Sequence, residues 1–598
     1  MAKQQHLGLE IDLSRDSLFD TLGLQRLRES YMRADEESPQ HRFASVCKKF
    51  GSNLEHSQRL YEYASKHWIS FSTPILSYGR SERGMPISCF LNYIDDSSHG
   101  LVNNLSETNW LSMLGGGVGI GFGIRSSDEK STGVMPHLKT YDSSSLAYRQ
   151  GKTRRGSYAA YLDINHPDII QFLEMRKPTG DQNMRCLNLH HGINVSDRFM
   201  ELVERSMLDS DCDDGWNLSD PFSGEVRETV SARSLWAKIL ELRMETGEPY
   251  LHFIDTSNRA LPQTQKDLGL KIHQSNLCSE IILPTSEDRT AVCCLSSVNL
   301  ENYDAWSKDS RFIKDVAEML DNVLEFFIQN APPEVSRATF SAEQERSIGI
   351  GALGFHAYLQ RKGIALEGVM AKAANNRMFK LIRTRCDEAS LELGTERGEA
   401  PDSKGTGKRF THVMAIAPNA SSSIIMGNTS PSIEPYRANA YRQDTLSGSY
   451  LNKNKYLDEL ITQLCKDDPK LDYDDTWSSI IATDGSIQHL KIFTEDQKYI
   501  FKTAMEIDQR WIIEHAADRQ HYIDQAQSLN VFFRPDANIR YIHAIHFMAW
   551  KQGVKTMYYC RSEKLGKADK ISKKIERQAI KEIDFQSLID DNACMACE

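Results

Sequence analysis

Residues 275–283 read Ser275-Asn276-Leu277-Cys278-Ser279-Glu280-Ile281-Ile282-Leu283, and this stretch guides the interpretation of the whole 598-residue chain. Its apolar character predicts a strand at 278–283, and side chains alternate between the two faces of an extended backbone. Asn276, Cys278 and Glu280 then share one face, where they present an amide, a thiol and a carboxylate to one small molecule. The same spacing also fits an ordinary strand with a buried thiol.

The chemistry of this trio favours a thiol that reacts as a radical. Negative charge close to a cysteine raises the pKa of the thiol, so a glutamate two residues away is a poor partner for a thiolate nucleophile. A radical thiol needs no such activation. In that chemistry Glu280 accepts a proton and Asn276 holds a hydroxyl group of the substrate.

The bulk composition is that of a large globular protein. Hydrophobic residues make up 40% of the chain and charged residues 26%, and the formal net charge of −11 argues against general nucleic-acid binding. No apolar run reaches the roughly 18 residues that span a bilayer. The N-terminus, residues 1–6, lacks the apolar segment of a signal peptide. We therefore predict a cytoplasmic protein with no membrane or nucleic-acid partner.

Strand-like and helical segments alternate along the chain, which predicts an α/β fold. Three regions are expected: an N-terminal helical region at 1–70, a catalytic domain at 71–562, and a flexible tail at 563–598 that is rich in lysine and poor in aromatic residues. Further predictions are strands at 291–295 and 554–559, a flexible glycine turn or strand at 115–123, and helices at 196–262, 312–330, 342–361 and 369–393.

Twelve cysteines indicate redox or metal chemistry, because structural disulfides are rare in a reducing compartment. Cys89 and Cys293 lie in apolar strand-like runs, and two such thiols near a reactive third could supply two electrons by closing a disulfide. Packing in the core is the alternative for both. Five other cysteines are predicted to be buried and inert, namely Cys47, Cys186, Cys212, Cys386 and Cys465.

The tail ends in Cys594-Met595-Ala596-Cys597, a C-x-x-C pair. A dithiol on a mobile chain end can exchange with a buried disulfide and be recycled by an external reductant. Half of a zinc site is the alternative, but a closed zinc site needs four ligands, and the sequence has no second C-x-x-C or suitably spaced histidine pair. Thiol exchange is favoured, and no metal site is predicted in the chain.

Three further motifs have more than one interpretation. Tyr558 and Tyr559 end a predicted strand, and adjacent tyrosines are usually structural, although a stacked pair can pass a radical inward. Pro418-Asn419-Ala420-Ser421-Ser422 resembles a helix N-terminus, where free N–H groups favour phosphate, and ordinary capping explains the serines equally well. The 349–354 segment matches G-x-G-x-x-G, but it follows a helical segment where a dinucleotide site needs a strand, so close helix packing is predicted.

Together, the N-L-C-x-E core, the P-x-x-S-S loop, the tyrosine pair and their order resemble the large, catalytic subunit of class I ribonucleotide reductase, from about residue 40 to the end. The resemblance implies a ten-stranded α/β barrel with a central finger loop, preceded by a small helical region. It implies that Cys278 abstracts the 3′ hydrogen of the ribose, that Glu280 acts as the base and that Asn276 binds the ribose hydroxyls. Cys89 and Cys293 would deliver the electrons as the 2′ hydroxyl leaves as water.

The resemblance also implies the remaining parts of the machinery. Cys594 and Cys597 would re-reduce the buried pair, with a thioredoxin- or glutaredoxin-like reductant behind them. Tyr558 and Tyr559 would carry the radical from a separate small subunit that houses a metal cofactor. The substrate would be a nucleoside diphosphate, with its phosphates held by Thr73, Ser88, Pro418, Asn419, Ala420, Ser421 and Ser422.

Members of this family choose their substrate through a nucleotide effector at a dimer interface. A dNTP or ATP effector, with Mg²⁺, would bind here at Asp96, Ser97 and Arg125 and at the loops 149–157 and 177–185, and a homodimer is expected. Thr73 comes so early that no complete N-terminal ATP-binding domain fits ahead of it. Overall inhibition by dATP through such a domain is therefore predicted to be absent.

Other functions share some of these features. An adenosylcobalamin-dependent reductase uses the same thiol, amide and acid chemistry but has no need of the tyrosine pair. A thiol-disulfide exchange protein would use only Cys594 and Cys597, which leaves the residues at 276–280 unexplained. A glycyl-radical enzyme is disfavoured because no glycine lies beyond Gly566.

Overall fold

The computed structural model describes residues 3–80, 84–148, 156–209, 211–445 and 448–562, with side chains described outside 442–450. The predicted tail at 563–598, including Cys594 and Cys597, lies outside the described residues. Helices and strands alternate along the described chain, which confirms the predicted α/β architecture.

Seventeen strands lie in the described ranges, and most are three to six residues long. In chain order they are β1 Lys3–His6, β2 Leu9–Asp12, β3 Ile69–Phe71, β4 Cys89–Ile94, β5 Gly117–Phe122, β6 Tyr158–Asp163, β7 His190–Val195, β8 Gly215–Ser219, β9 Val226–Ser231, β10 Tyr250–Phe253, β11 Ala291–Asn299, β12 Ile348–Leu353, β13 Ala440–Thr445, β14 Gly448–Lys453, β15 Val531–Phe533, β16 Thr556–Met557 and β17 Cys560–Ser562. The strands predicted at 115–123 and 291–295 are confirmed by β5 and β11.

Twenty-two α-helices lie in the same ranges, and those predicted at 312–330 and 369–393 are confirmed by α13 and α16. They are α1 Thr21–Ser30, α2 Pro39–Phe50, α3 Leu54–Ser65, α4 Thr73–Leu76, α5 Ser98–Met113, α6 Val134–Ala147, α7 Ile169–Leu173, α8 Asp197–Leu208, α9 Ala232–Thr246, α10 Ile254–Arg259, α11 Gln263–Asp267, α12 Tyr303–Trp306, α13 Phe312–Asn330, α14 Ser336–Glu345, α15 Phe355–Arg361, α16 Val369–Arg397, α17 Ala420–Ile425, α18 Lys455–Asp467, α19 Tyr473–Ala482, α20 Glu495–Ile500, α21 Gln509–Gln520 and α22 Ile539–Lys551. Short 3₁₀ helices span Leu13–Leu18, Gln182–Met184, Leu300–Asn302, Pro333–Val335 and Pro401–Ser403. None of the helices in the described chain combines the length and apolar character needed to cross a membrane.

One mixed sheet of nine strands organises the described chain. β4, β5, β6, β7 and β10 pair in parallel, and β16 pairs antiparallel with β10 at one end. At the other end β11 pairs antiparallel with β4 and β3, and in parallel with β12. Parallel neighbours need crossover connections, which α5, α6 and α7 supply between β4 and β7.

The two faces of this sheet contribute to separate cores. The outer core packs between the sheet and the helices and includes Phe90 of β4. The inner core contains the alternate residues Cys89 and Leu91 of the same strand, together with Leu277 and Cys278 from the segment that joins α11 to β11. The period-two alternation of β4 therefore decides which side chains reach the interior of the curved sheet.

The N-terminal region is largely helical, as predicted for residues 1–70. α1, α2 and α3 follow a hairpin of β1 and β2. Ser38 caps α2 in a capping box with His41, and Pro39 occupies the first helical turn, where its missing N–H costs nothing. Arg59 of α3 pairs with Asp315 of α13 at 2.7 Å, which joins this region to the rest of the chain.

Two of the predicted helices are wrong. The segment 342–361 is interrupted by β12, and the segment 196–262 is divided by β8, β9 and β10. Gly349 and Gly351 lie in β12, and Gly354 precedes α15, so the motif is not a helix contact. A Cβ atom on Gly351 would lie 2.7 Å from the carbonyl oxygen of Ala415. Short apolar runs fit either a strand or a buried helix, so their periodicity does not distinguish the two. The glycines lie within the strand and not in a turn that follows it, which argues against a dinucleotide site.

A buried carboxylate connects α13 to its neighbours. Asp321 is 1% exposed and accepts hydrogen bonds from Arg346 at 2.9 Å, Arg397 at 2.7 Å and Arg409 at 3.2 Å. Burial raises the pKa of Asp321, but the three guanidinium groups outweigh burial and hold the pKa below its ordinary value. The carboxylate is the shared counter-charge of three arginines.

Asp321→Ala is expected to lower the free energy of unfolding by about 3–5 kcal/mol, because it removes the buried carboxylate that Arg346, Arg397 and Arg409 share. Arg346 and Arg397 would keep their contacts with Glu325 and Glu318, whereas the Asp321 partner of Arg409 would be lost. Chemical denaturation followed by circular dichroism measures the change. Asp304→Ala is the control, since Asp304 pairs with Arg361 and Lys362 at the surface and its loss should change stability by less than about 1 kcal/mol. Equal losses in the two variants would contradict the structural role of Asp321.

Candidate active site

The segment between α11 and β11, named here the finger loop (275–283), carries Asn276, Cys278 and Glu280 into the interior. All three residues are 0% exposed. The strand predicted at 278–283 is wrong, because Ser279 adopts a left-handed φ of +66° and its N–H donates to the Asn276 carbonyl oxygen at 3.3 Å. The finger loop is a turn followed by irregular backbone.

Contacts with the sheet shape the finger loop. Gly119 lies in β5, and a Cβ atom there would be 2.2 Å from the carbonyl oxygen of Ser275. The Asn276 Oδ1 atom accepts from the N–H of Ile281 at 3.0 Å, which closes the turn. Tyr161 on β6 donates to the Asn276 carbonyl oxygen at 2.7 Å. These contacts, and not strand pairing, shape the turn that carries the amide, thiol and carboxylate into the interior.

The Glu280 carboxylate lies beside a second thiol. Cys89 Sγ is 3.7 Å from Glu280 Oε1, and Ser528 Oγ donates to Glu280 Oε2 at 3.2 Å. Asn276 Nδ2 is 3.6 Å from the same Cys89 sulfur. A hydrogen-bond donor and an acceptor therefore meet around one sulfur atom, an arrangement suited to a small substrate with several hydroxyl groups.

Cys89 and Cys293 are direct partners across the antiparallel pair of β4 and β11. Opposed residues in such a pair have Cα atoms about 4.5–5.5 Å apart, which is within the range that a disulfide spans. Both are buried in the inner core. Cys294, the next residue, belongs to the outer core. Burial raises the pKa of the Cys293 thiol well above its ordinary value.

Tyr558 and Tyr559 connect the finger loop to the surface. The Tyr558 hydroxyl donates to Cys278 Sγ at 3.5 Å, and the ring centroids of the two tyrosines are 4.2 Å apart. Tyr559 is 7% exposed, and the Arg561 guanidinium lies 4.1 Å from its ring centre. The strand predicted at 554–559 is wrong beyond Met557, because the tyrosines occupy the irregular link between β16 and β17.

Residues 418–422 lead into α17, as predicted for a helix N-terminus. Asn419 has a left-handed φ of +53°, and its Oδ1 atom accepts from Ser297 Oγ at 3.2 Å. Arg26 of α1 donates from Nη2 to Ser421 Oγ at 3.1 Å, which places a positive charge beside the loop. This arginine lies 395 residues away in the chain, and no sequence motif pointed to it.

The other two predicted phosphate residues lie on neighbouring segments. Thr73 Oγ1 is 3.2 Å from the hydroxyl of Tyr31, which directly follows α1. Ser88 Oγ is 3.4 Å from Cys89 Sγ. α1 and the residue after it therefore contact both Thr73 and the 418–422 loop, while Ser88 adjoins the cysteine pair.

Asp96, Ser97 and Arg125 come together at the end of β4. Arg125 Nε donates to Asp96 Oδ2 at 2.6 Å, and Ser97 caps α5 by accepting from the N–H of Gly100 at 2.9 Å. The Phe222 ring centre lies 3.8 Å from the Arg125 guanidinium carbon. Residues 149–155 of the first predicted effector loop lie outside the described residues, and the loop at 177–185 contains the short helix at 182–184.

Two family models match most of the chain. The ribonucleotide reductase barrel domain matches residues 87–406 and 401–560, and the ribonucleotide reductase all-alpha domain matches residues 17–84. The chain belongs to the ribonucleotide reductase family. The predicted α/β barrel with a helical region ahead of it is thereby confirmed.

Similar reductases are large subunits. The chain is 51% identical over 611 residues to the ribonucleoside-diphosphate reductase large subunit of Invertebrate iridescent virus 3, covering 94% of this chain and 97% of that one. It is 31% identical over 632 residues to the large subunit of Danio rerio, covering 94% and 78%. The structure of the Actinobacillus ureae class Id ribonucleotide reductase alpha subunit matches with a TM-score of 0.80 at 34% identity, covering 91% and 97%. The resemblance to the class I large subunit is confirmed.

The described residues before the all-alpha match form the β1–β2 hairpin and the beginning of a 3₁₀ helix.

The cysteines predicted to be inert fall into two groups in this reductase. Cys47, Cys186 and Cys386 are buried, as predicted, and burial raises the pKa of Cys186 to about 12. Cys212 and Cys465 are partly exposed, so the prediction of burial is wrong for both. Cys212 lies in the connection between α8 and β8, and Cys465 lies near the end of α18 at the margin of a small separate core.

Three side chains near the reactive thiols of this reductase were not predicted. Gln525 Nε2 is 3.4 Å from Cys293 Sγ, Ser528 donates to Glu280, and the Tyr250 ring lies 4.7 Å from that of Tyr558. The residues at 524–528 form a polar run without a recognised pattern, more than 200 residues from the thiols in sequence. Their burial between α21 and β15 is a tertiary feature.

Proposed function

We propose that this chain is the large, catalytic subunit of a class I ribonucleoside-diphosphate reductase and converts ribonucleoside diphosphates into 2′-deoxyribonucleotides for DNA synthesis. The observation that carries the proposal is the 3.5 Å contact between the Tyr558 hydroxyl and Cys278 Sγ, inside a core that also holds Cys89 and Glu280. A tyrosine within hydrogen-bond reach of a buried thiol provides a route for a radical to reach the sulfur. The 1–70, 71–562 and 563–598 regions would serve as helical region, catalytic barrel and redox tail.

Cys278 is proposed to act as a thiyl radical that takes the hydrogen from C3′ of the ribose. Glu280 accepts the proton of the 3′ hydroxyl, and Asn276 holds the ribose hydroxyls. The 2′ hydroxyl leaves as water, while Cys89 and Cys293 together give up two hydrogen atoms and close a disulfide. Cys278 returns its hydrogen to C3′ and becomes a thiyl radical again, and Glu280 returns its proton to the 3′ oxygen. The register of Cys89 opposite Cys293 supports the disulfide step.

Tyr559 and Tyr558 are proposed to conduct the radical inward from a separate small subunit, where a metal cofactor generates it. The 4.2 Å separation of their ring centroids, with the planes tilted by 51°, supports this route, as does the change from 7% exposure at Tyr559 to 1% at Tyr558. An adenosylcobalamin-dependent reductase would make its radical on its own cofactor and would not require the pair.

The substrate diphosphate is proposed to bind at residues 418–422, with Thr73 and Ser88 beside it. The helix start at Ala420 and the nearby Arg26 charge support an anion site. A dNTP or ATP effector with Mg²⁺ is proposed to bind at Asp96, Ser97 and Arg125 on a homodimer interface. The exposed Phe222 ring next to Arg125 supplies an apolar surface there.

The activity is tested by combining the chain with candidate small subunits, a nucleoside diphosphate, an effector and a dithiol, and measuring deoxynucleotide. Product is expected only when a small subunit is present. Turnover with adenosylcobalamin and no small subunit would instead indicate the cobalamin-dependent chemistry. Reduction of protein disulfides with no deoxynucleotide under any condition would indicate a thiol exchange protein.

The tail cysteines have their own expected result. Changing Cys594 and Cys597 to serine should preserve turnover with a small dithiol, which reaches the buried disulfide by diffusion. The same change should stop turnover with a thioredoxin- or glutaredoxin-like protein, which is too large to enter the interior. Deoxynucleotide formation with each reductant is the measurement, and equal loss with both reductants would contradict a shuttle.

A further inference from the structure

The Gln525 side chain contacts one sulfur of the proposed redox pair. It is 0% exposed, and its Nε2 atom lies 3.4 Å from Cys293 Sγ and 3.2 Å from the Ile348 carbonyl oxygen. A carbonyl oxygen only accepts hydrogen bonds, so Ile348 determines which end of the amide faces the sulfur. Cys293 therefore meets an N–H donor.

Lys555 holds the backbone of Gln525 in place. Its Nζ donates to the three successive carbonyl oxygens of residues 523–525 at 3.2, 2.6 and 2.8 Å. The N–H of Gln525 donates to the carbonyl oxygen of Met414 at 3.2 Å. Hydrogen bonds to its N–H and to its carbonyl oxygen therefore hold the backbone of Gln525 while its side-chain amide contacts Cys293.

The two sulfurs of the pair have different electrostatic surroundings. Cys89 Sγ is 3.7 Å from Glu280 Oε1, and a carboxylate opposes negative charge on the sulfur, which offsets the donor at Asn276 Nδ2. Burial and, to a smaller extent, the Glu280 charge raise the pKa of the Cys293 thiol, and the Gln525 hydrogen bond opposes that rise. The carboxylate therefore acts on both sulfurs but contacts only Cys89, whereas the Gln525 donor contacts only Cys293. Because a hydrogen bond to an ionised group is stronger than one to a neutral group, the Gln525 contact favours the thiolate form of Cys293.

We propose that Gln525 is a positioning residue that gives the Cys89–Cys293 disulfide one direction of cleavage: an incoming thiolate attacks Cys89, and Cys293 leaves as a thiolate held by the Gln525 amide. The proposal rests on the proposed function, in which these two cysteines form the disulfide. It deepens that function by assigning a role to each sulfur.

The exchange takes two steps. In the first, one tail thiolate forms a bond to Cys89 Sγ, the bond to Cys293 breaks, and the electron pair stays on Cys293 Sγ, which then takes a proton from solvent. In the second, the other tail thiolate attacks the tail sulfur of the mixed disulfide, and Cys89 leaves as a thiolate and is protonated. Two tail thiols are oxidised to a disulfide, and the buried disulfide is reduced to two thiols.

Gln525→Met tests the donor, because methionine is similar in length and has no N–H. The holoenzyme with Cys594→Ser and Cys597→Ser is oxidised by one turnover, and re-reduction by dithiothreitol is followed. The rate is expected to fall about ten- to hundredfold, the effect of losing a hydrogen bond to a charged group. The Gln525→Glu variant is compared with the glutamine enzyme at each pH. Its rate should approach that of the glutamine enzyme as the pH falls, because a protonated carboxyl group is again a hydrogen-bond donor. An unchanged rate in Gln525→Met would overturn the proposal.

Gln527→Met is the matched control. Gln527 is also 0% exposed, and its amide bonds to the Ala516 carbonyl oxygen at 2.9 Å and to Gln520 Oε1 at 3.1 Å. Its replacement removes a buried amide from the same segment and should leave re-reduction nearly unchanged. Equal slowing in both methionine variants would show that Gln525 acts only through packing, which would also overturn the proposal.

A monothiol identifies which sulfur of the Cys89–Cys293 disulfide is attacked. The oxidised enzyme is mixed briefly with 2-mercaptoethanol, quenched in acid and digested, and the adduct is located by mass spectrometry. The adduct is expected on Cys89, in at least about tenfold excess over Cys293, and this preference should weaken in Gln525→Met. A majority on Cys293, or a preference that Gln525→Met leaves intact, would overturn the proposal. If one turnover produces no Cys89–Cys293 disulfide, the proposed function itself fails, which is a separate result.

Discussion

Cys278→Ala is expected to reduce deoxynucleotide formation by at least about four orders of magnitude, which is the scale of loss when an enzyme loses the atom that bonds to its substrate. In the proposed mechanism, hydrogen abstraction needs a sulfur radical at this position, and the Tyr558 hydroxyl donates to this sulfur. The measurement is turnover of the reconstituted enzyme. Nucleoside diphosphate binding, measured by equilibrium dialysis, should persist because alanine fits the same buried space.

Cys294→Ala is the control for this substitution. Cys294 is as fully buried as Cys278 but belongs to the outer core, so its replacement should leave turnover close to that of the unmodified chain. Substantial turnover in Cys278→Ala would refute the radical role of Cys278. A Cys278→Ala protein that is folded but no longer binds nucleotide would indicate a binding role in its place.

Tyr559→Phe is expected to produce a loss of the same order. Phenylalanine preserves the ring whose centroid lies 4.2 Å from that of Tyr558, but it has no hydroxyl proton to release on oxidation. The radical would then remain on the small subunit. Electron paramagnetic resonance detects that radical after the enzyme is mixed with substrate and effector. The signal of the small-subunit radical should persist while the variant still binds substrate, which distinguishes this outcome from a folding defect.

Tyr303→Phe provides the comparison, because Tyr303 has the same 7% exposure as Tyr559 and packs against Trp306 away from the inner core. It should retain turnover. Normal turnover in Tyr559→Phe would remove this residue from the radical route and would leave Tyr558 to be tested alone.

The sequence predicted the α/β class and the residues that the inner core brings together. The apolar runs around Cys89 and Cys293 correctly predicted that both lie in strands. Their position opposite each other could not be predicted from local pattern, because pairing among many cysteines is open, and only the family resemblance implied it. The finger loop was predicted as a strand, although its path depends on the close approach to Gly119 and on the hydrogen bond within the turn at Asn276. Such contacts leave no periodic signal.

Supporting residues were harder to predict than reactive ones. Gln525 and Arg26 reach the site from segments far away in the chain, and nothing in their local composition distinguishes them from ordinary polar residues. Local pattern also failed to predict the secondary structure of the G-x-G-x-x-G segment. Glycines of this segment lie in β12, where they allow a close approach to Ala415, and they do not pack helices together. Local sequence pattern identifies residues with reactive side chains, whereas the residues that surround them depend on contacts between distant segments of the folded chain.

Cys278 and Tyr558 are 280 positions apart, yet their side chains touch. The sulfur lies on a loop in mid-chain, whereas the phenol lies close to residue 560, so the two groups meet only after the chain has folded. If the proposed radical route operates, a partly synthesised or unfolded chain would lack a continuous path for an unpaired electron. Oxidation of the thiol by this route would then be confined to folded molecules.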